Sequence, residues 1–269
     1  MRFALIGHPV AGSLSPRLIA AGYGGRHSYD LLDFERFDDA WQAFLDGYDG
    51  INVTAPFKQD AFRRVDVLSP RAQATGAVNL VVPCDQGFIG HNTDVDGVLM
   101  ALQETGLSFA DALVVGTGGA ARAAVYAAKE MGCHVTVTGR SVEKAAALGC
   151  LAVSFADAAR LTPDVVLYTL PGRAPVPEGL PLAQAVVLEA EYRIPQLSAA
   201  NCRMYVSGRR WMLGQAVAGY RLFTGEEPNV QEMLQVLFFF RNLPLRCSRM
   251  PAKPLILYYY VTEQSYANR

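Results

Sequence analysis

A glycine-rich run, Gly116-Thr-Gly118-Gly119-Ala120-Ala121, lies between a short apolar segment and an alanine-rich stretch. A strand, a tight turn and a helix in that order can bind the pyrophosphate of a dinucleotide. Gly116 would permit the turn, Gly118 would let phosphate approach the backbone, and Ala121 would let helix and strand pack closely. The helix start around Gly119 and Ala120 would present free N–H groups to the anion. The alternative is an ordinary turn whose glycines serve backbone geometry alone.

The cofactor type depends on a position about twenty residues beyond the glycines. An NAD enzyme usually has a carboxylate there, which binds the ribose 2′-hydroxyl. This chain has Arg140 and Ser141 instead. A guanidinium can pair bidentately with a 2′-phosphate, so the sequence predicts NADP(H) rather than NAD. Arg140 could also be a solvated charge, and Ser141 could be a helix N-cap in addition to any cofactor contact.

Three polar motifs in the first hundred residues are harder to explain by structure alone. Ser13-Leu-Ser15-Pro is predicted to place two hydroxyls on one side of an extended loop, Asn52-Val-Thr54-Ala-Pro-Phe-Lys58 follows an apolar segment, and Gly90-His-Asn92-Thr-Asp94 precedes a helical stretch. Taken singly, the lysine could cap a surface helix and the aspartate could be an N-cap.

Two series of predicted strands and helices would position these motifs. Strands are predicted at residues 3–6, 29–33, 50–54, 77–82, 112–115, 135–138, 165–168 and 186–189, with helices at 38–45, 57–65, 95–104, 120–131 and 141–147. The alternation predicts α/β domains with mainly parallel sheets. We expect a substrate-binding and catalytic domain over 1–98, a Rossmann domain over 99–208, and a segment over 209–243 that returns to the first domain. Residues 244–269 show neither helical nor strand periodicity.

Composition excludes several classes of protein. With 51% apolar residues among 269 and a net charge of −1, the chain can bury a large core and has no basic stripe for nucleic acid. The sequence shows no signal peptide and no apolar segment of the length that spans a bilayer. The five cysteines lack metal-ligand spacing, and no metal is expected. We therefore expect a cytoplasmic protein.

Taken together in chain order, the motifs resemble the shikimate dehydrogenase family. The resemblance covers about residues 3 to 225 and includes two further motifs, Gly76-Ala-Val-Asn79 and Met212-Leu-Gly-Gln215-Ala. It implies an N-terminal α/β substrate domain and a Rossmann-type domain, with the active site in the cleft between them. It also implies NADPH-dependent, reversible reduction of 3-dehydroshikimate to shikimate. We expect a monomer or homodimer.

The resemblance assigns a role to each matching position. Ser13 and Ser15 would bind the substrate carboxylate, and Lys58 and Asp94 would be the catalytic pair. An ammonium can stabilise and protonate the oxygen of a ketone that receives hydride, while a carboxylate orients it. The remaining substrate contacts would come from Asn52, Thr54, Asn79, Gln215 and, by a looser match, Tyr192.

Departures from the family pattern fall mainly near the cofactor. Tyr168-Thr-Leu-Pro-Gly172 replaces an Asn-Ala-Thr-Pro-x-Gly motif, and Gly139 replaces an asparagine, while Gly12 and Leu80 are peripheral changes. Two rival functions stay open: a quinate/shikimate dehydrogenase that uses NAD, and a regulatory paralogue that binds a shikimate-like ligand without turnover. Arg140 argues against the first, and an intact Lys58 and Asp94 argue against the second.

Overall fold

The computed structural model describes residues 1–238, which form two six-stranded sheets covered by helices. The predicted tail, 244–269, lies outside the described residues. Within residues 1–238, no helix has the length and hydrophobicity to cross a membrane. The same residues hold no group of three or more metal-ligating side chains.

The first sheet has the strand order β2-β1-β3-β5-β6-β4. Its strands are β1 (Arg2–Gly7), β2 (Ser28–Asp33), β3 (Gly50–Val53), β4 (Val67–Leu68), β5 (Leu80–Cys84) and β6 (Gly87–His91). Its helices are α1 (Ser15–Tyr23), α2 (Phe37–Leu45), α3 (Lys58–Arg64), α4 (Pro70–Thr75) and α5 (Asp94–Gln103).

The prediction of a mainly parallel sheet holds for three of the five strand pairings in this half of the chain, but it is wrong for β5. Strand β5 pairs antiparallel with both β3 and β6. The reason is a hairpin: only Asp85 and Gln86 separate the paired residues Cys84 and Gly87, and two residues can connect only antiparallel strands. The strand predicted at 77–82 also begins later, at Leu80.

The prediction of an extended loop at Ser13–Pro16 is also wrong. Leu14 has helical dihedral angles, and Ser15 is the first residue of α1. Pro16 lies in the first turn, where its fixed φ suits a helix and its missing N–H costs no hydrogen bond. The serines still share one side, because the Ser13 hydroxyl donates to Ser15 Oγ over 3.1 Å.

The second sheet is parallel throughout and has the order β12-β11-β10-β7-β8-β9. Read from its other edge, this is the 3-2-1-4-5-6 order of the Rossmann fold. Its strands are β7 (Asp111–Val115), β8 (His134–Thr138), β9 (Leu151–Val153), β10 (Val165–Tyr168), β11 (Val186–Glu189) and β12 (Met204–Val206). The helices that follow are α6 (Gly119–Glu130), α7 (Val142–Ala146), α8 (Phe155–Ala158), α9 (Gly208–Thr224) and α10 (Val230–Phe238).

Helix α9 brings the chain back to the first sheet. It crosses α5 so closely that a Cβ at Gly214 would lie 2.9 Å from the Cα of Gly97. The same helix contributes side chains to the core beneath β1, namely Leu213, Tyr220 and Phe223. The crossing therefore fixes Gln215, on α9, beside Asn79, the residue that precedes β5.

Candidate active site

A cleft of about 230 Å³ lies between the two sheets. All nine residues predicted to bind substrate or to act on it line this cleft, and side chains from the Rossmann half complete it. The lining residues are Leu5, Ser13, Ser15, Asn52, Val53, Thr54, Lys58, Asn79, Asp94, Ala120, Ala190, Tyr192, Gly208, Trp211, Met212 and Gln215.

Lys58 and Asp94 form an ion pair in the cleft, with Nζ 2.5 Å from Oδ2. Their side chains are 21% and 12% exposed, so the pair is shielded from bulk water but open to a ligand. Each is the first residue of its helix, α3 or α5, and neither acts as an N-cap: that position belongs to Phe57 and Thr93. The pair places a proton donor and its carboxylate partner at one point of the cleft wall.

Amide side chains line the wall next to this pair. The Asn79 Nδ2 group donates to Gln215 Oε1 over 3.3 Å, and its Oδ1 accepts the Thr93 backbone N–H at 2.8 Å. Asn52 Nδ2 donates to the Asn79 carbonyl over 3.2 Å. These bonds hold neutral directional groups in place, which is what the recognition of a polyhydroxylated ring requires.

Tyr192 reaches the cleft from the Rossmann half, on the loop after β11. The carboxylate of Glu189, fully buried, fixes that loop by accepting the Gln196 backbone N–H at 2.7 Å and the Tyr205 hydroxyl at 2.8 Å. Burial raises the pKa of Tyr192, and its hydroxyl lies near the Leu14 backbone. The phenol is therefore neutral at physiological pH and lies next to the loop that carries Ser13.

The glycine-rich turn has the geometry that a dinucleotide requires. Gly116 has a φ of +124°, and a Cβ there would lie 2.3 Å from Thr169 Oγ1. Above Gly118 the space is open, since a Cβ would meet no atom within 4 Å. Ala121 is fully buried against the sheet. The first N–H groups of α6 have no partner within the helix, so the turn fits a pyrophosphate.

Arg140 and Ser141 follow β8 as predicted. Arg140 is exposed, and in the described part of the chain no ion pair or side-chain hydrogen bond engages it. Ser141 is the N-cap of α7, with its Oγ accepting the Lys144 N–H at 3.2 Å. The N-cap interpretation of Ser141 is thus correct, and Arg140 is available for an anionic group.

The first two residues of the atypical segment, Tyr168 and Thr169, contribute to the packing and hydrogen bonding of the Rossmann half. The Tyr168 ring is fully buried in the core of the Rossmann half, and burial raises its pKa to about 12. The next residue, Thr169, donates its hydroxyl to the Val115 carbonyl over 2.8 Å. This bond ties the end of β10 to the strand that precedes the glycine-rich turn.

Paired alanine substitutions should separate the two glycine roles. We expect Gly116→Ala to destabilise the protein by about 1–3 kcal/mol, because the new methyl group meets Thr169 at a strained φ. Gly118→Ala should leave the melting temperature nearly unchanged but raise the KM for NADP severalfold, because the methyl group fills space that phosphate would use. Thermal unfolding and initial-rate kinetics measure both effects, and an unchanged KM in Gly118→Ala would remove that position from the cofactor site.

Known proteins resemble this chain in sequence. Residues 5–81 match the family model described as the shikimate dehydrogenase substrate binding domain. Over 253 residues the chain is 33% identical to a shikimate dehydrogenase (NADP(+)) of Thermus thermophilus, a match that spans 87% of this chain and 96% of that protein. The chain belongs to the shikimate dehydrogenase family. A relative of the same description from Streptomyces avermitilis is 34% identical over 270 residues, 86% of this chain and 92% of that protein.

Solved structures of the shikimate dehydrogenase family share the fold. The Thermus thermophilus shikimate 5-dehydrogenase in complex with NADP(H) and shikimate superposes with a TM-score of 0.79 at 31% identity, covering 88% of this chain and 98% of that one. A quinate dehydrogenase of Corynebacterium glutamicum in complex with NAD gives 0.75 at 27% identity, covering 88% and 97%. The predicted family and fold class are confirmed.

Trp211, Met212 and Tyr29 are among the residues of the site that escaped prediction. Trp211 and Met212 line the cleft from α9, and Tyr29 lies behind its wall. Trp211 directly precedes the Met212–Gln215 motif, so helical spacing from Gln215 could have indicated that it faces the same side. Tyr29 gave no signal beyond its place in a strand, because its contact with Asn52 depends on how β1, β2 and β3 are ordered in the sheet.

Proposed function

We propose that this chain is an NADP-dependent shikimate dehydrogenase that catalyses the reversible reduction of 3-dehydroshikimate to shikimate. The observation that carries the proposal is the shielded Lys58–Asp94 ion pair in a cleft walled by hydroxyl and amide groups. Relatives described as NADP(+)-dependent shikimate dehydrogenases, similar over nearly their whole length, support it. So does the fold shared with an enzyme bound to NADP(H) and shikimate.

The cofactor would lie along the Rossmann half, held by the glycine-rich turn and by Arg140 and Ser141. The open space above Gly118 and the exposed side chain of Arg140 fit a dinucleotide that carries an additional phosphate. When bound, NADPH supplies the hydride.

The chain's own residues bind the ring and move the proton. Ser13 and Ser15 bind the carboxylate through their hydroxyls, while Asn52, Thr54, Asn79, Gln215 and Tyr192 orient the ring. Lys58 Nζ donates a proton to the ketone oxygen on which charge develops, and Asp94 keeps the ammonium aimed at that oxygen. In the reverse direction the same pair accepts the proton of the hydroxyl. The two groups titrate as a unit because they share a hydrogen bond.

The proposal extends to the domain organisation, the cellular location and the oligomeric state of the protein. We assign residues 1–98 to substrate binding and catalysis, 99–208 to the cofactor, and 209–243 to the returning segment. We also assign the protein to the cytoplasm, as a monomer or homodimer. Cys84, Cys133, Cys150 and Cys202 are free thiols, which suits a reducing compartment.

An absorbance assay at the reduced-nicotinamide band tests the proposed function. Shikimate and quinate are each supplied with NADP and with NAD, and we expect shikimate with NADP to give the highest kcat/KM. The quinate dehydrogenase that binds NAD makes the reverse preference the main alternative. Turnover of quinate with NAD above shikimate with NADP would establish that alternative. Binding of shikimate without any turnover would favour a non-catalytic paralogue.

A further inference from the structure

We propose that Tyr29 is a positioning residue that fixes which hydrogen-bonding group Asn52 presents to the substrate. The proposal rests on the proposed function, since it concerns the same cleft. Tyr29 lies on β2, its side chain does not line the cleft, and it is 8% exposed. It therefore acts on a ligand only through the residues that it holds.

The Tyr29 hydroxyl holds one cleft residue directly. It donates its proton to Asn52 Oδ1 over 2.6 Å. Nearby, the Tyr220 hydroxyl donates to the Ser15 carbonyl over 3.1 Å. Buried phenols behind the cleft wall thus hold Asn52 through its side chain and Ser15 through its backbone.

The single phenolic proton sets the direction of this bond. Burial strongly raises the pKa of Tyr29, so the phenol keeps its proton. That proton goes to Asn52 Oδ1, because an amide oxygen can only accept. The bond between Tyr29 and Asn52 therefore has one fixed direction.

This direction determines what Asn52 can offer. Its Oδ1 accepts from Tyr29, and one N–H of its amide donates to the Asn79 carbonyl. The second N–H is the group that remains for the cleft. A ligand atom that meets this N–H must be an acceptor, such as a hydroxyl or carbonyl oxygen. Without the Tyr29 proton, the amide can rotate and present its oxygen instead.

The substitution Tyr29→Phe tests the proposal. It removes the hydroxyl and leaves Asn52 Oδ1 without a donor. We expect the KM for shikimate to rise by roughly tenfold, the order of effect for an unsatisfied buried partner. The kcat and the KM for NADP should stay within about twofold of the parent, because neither the Lys58–Asp94 pair nor the Rossmann half is touched. Titration calorimetry with shikimate measures the same change without turnover.

A second buried tyrosine of the same half provides the matched control. The Tyr23 hydroxyl bonds to Thr224 Oγ1 over 2.8 Å and to the Glu226 carbonyl, and none of these residues lines the cleft. Tyr23→Phe should lower the melting temperature as Tyr29→Phe does, yet leave the KM for shikimate unchanged. In an Asn52→Ala background, Tyr29→Phe should add little to the increase in KM.

Three results would overturn the proposal: an unchanged affinity for shikimate in Tyr29→Phe, an equal loss in Tyr23→Phe, or full additivity with Asn52→Ala. Failure of the proposed function is seen separately, in the parent protein. A parent that binds shikimate without turnover leaves the calorimetric comparison valid. A parent that neither binds nor oxidises shikimate refutes both.

Discussion

Replacing Lys58 with alanine should lower kcat for shikimate oxidation by about 10²- to 10⁴-fold, the usual contribution of a positioned acid–base group. The Kd for shikimate should change far less. The ammonium acts on charge that develops at the reacting oxygen mainly in the transition state, whereas the ground-state ring is held by amides and hydroxyls on the same wall. Steady-state kinetics and titration calorimetry separate the two effects. Near-normal turnover would remove Lys58 from the mechanism.

The coupling between Lys58 and Asp94 leads to a second expected result. Asp94→Asn should also lose most activity. The kcat of the double variant should be little lower than that of the less active single variant, because removing either member already abolishes the function of the pair. Independent, multiplicative losses would contradict the pair. Lys129→Ala is the control, since this lysine of α6 donates to the Gly149 carbonyl and does not line the cleft.

Replacing Arg140 with alanine should reduce the preference for NADP over NAD by about ten- to a hundredfold. Only NADP carries a 2′-phosphate, and a hydrogen bond to a charged group contributes about 1.5–3 kcal/mol. At about 1.4 kcal/mol per decade this is the stated range. The KM for NADP should rise while that for NAD stays nearly constant, as initial rates with each cofactor will show.

A distant arginine controls for the general loss of positive charge. Arg160 is highly exposed and pairs only weakly with Asp157 across 3.9 Å, so Arg160→Ala should leave both cofactor constants unchanged. If Arg140→Ala raised the KM values for NAD and NADP in equal proportion, Arg140 would not contact the 2′-phosphate. The assignment of NADP would then rest on the relatives alone.

The Rossmann half was the easier part of the fold to predict from the sequence. Strands β7, β10 and β11 are apolar runs buried on both faces, and the glycine-rich turn marks the start of α6. The first sheet was harder, because the hairpin at Asp85 and Gln86 reverses the direction of the chain within a pattern that otherwise alternates strands and helices. Pattern alone does not distinguish a parallel neighbour from an antiparallel one.

In the site, motifs could predict which residues converge but not how they bond. Lys58 and Asp94 are 36 positions apart, and each alone is a plausible helix-start residue. Their ion pair requires α3 and α5 to begin at the same edge of the sheet. Tyr29 was beyond prediction for the same reason: its bond to Asn52 spans two strand boundaries, and sequence spacing carries no information about hydrogen-bond direction.

The proximity of Lys58 to Gly119 bears on how this enzyme could be redesigned. A Cβ at Gly119 would lie 3.6 Å from the Lys58 side chain, so the proton donor of one half packs on the first turn of the cofactor helix of the other. Cofactor choice, which we assign to Arg140 and its neighbours, can change without disturbing substrate recognition, which we place mainly before residue 95. Gly119 is the cofactor-side residue that lies next to Lys58. A library that varies both cofactor specificity and substrate specificity should therefore keep this glycine constant.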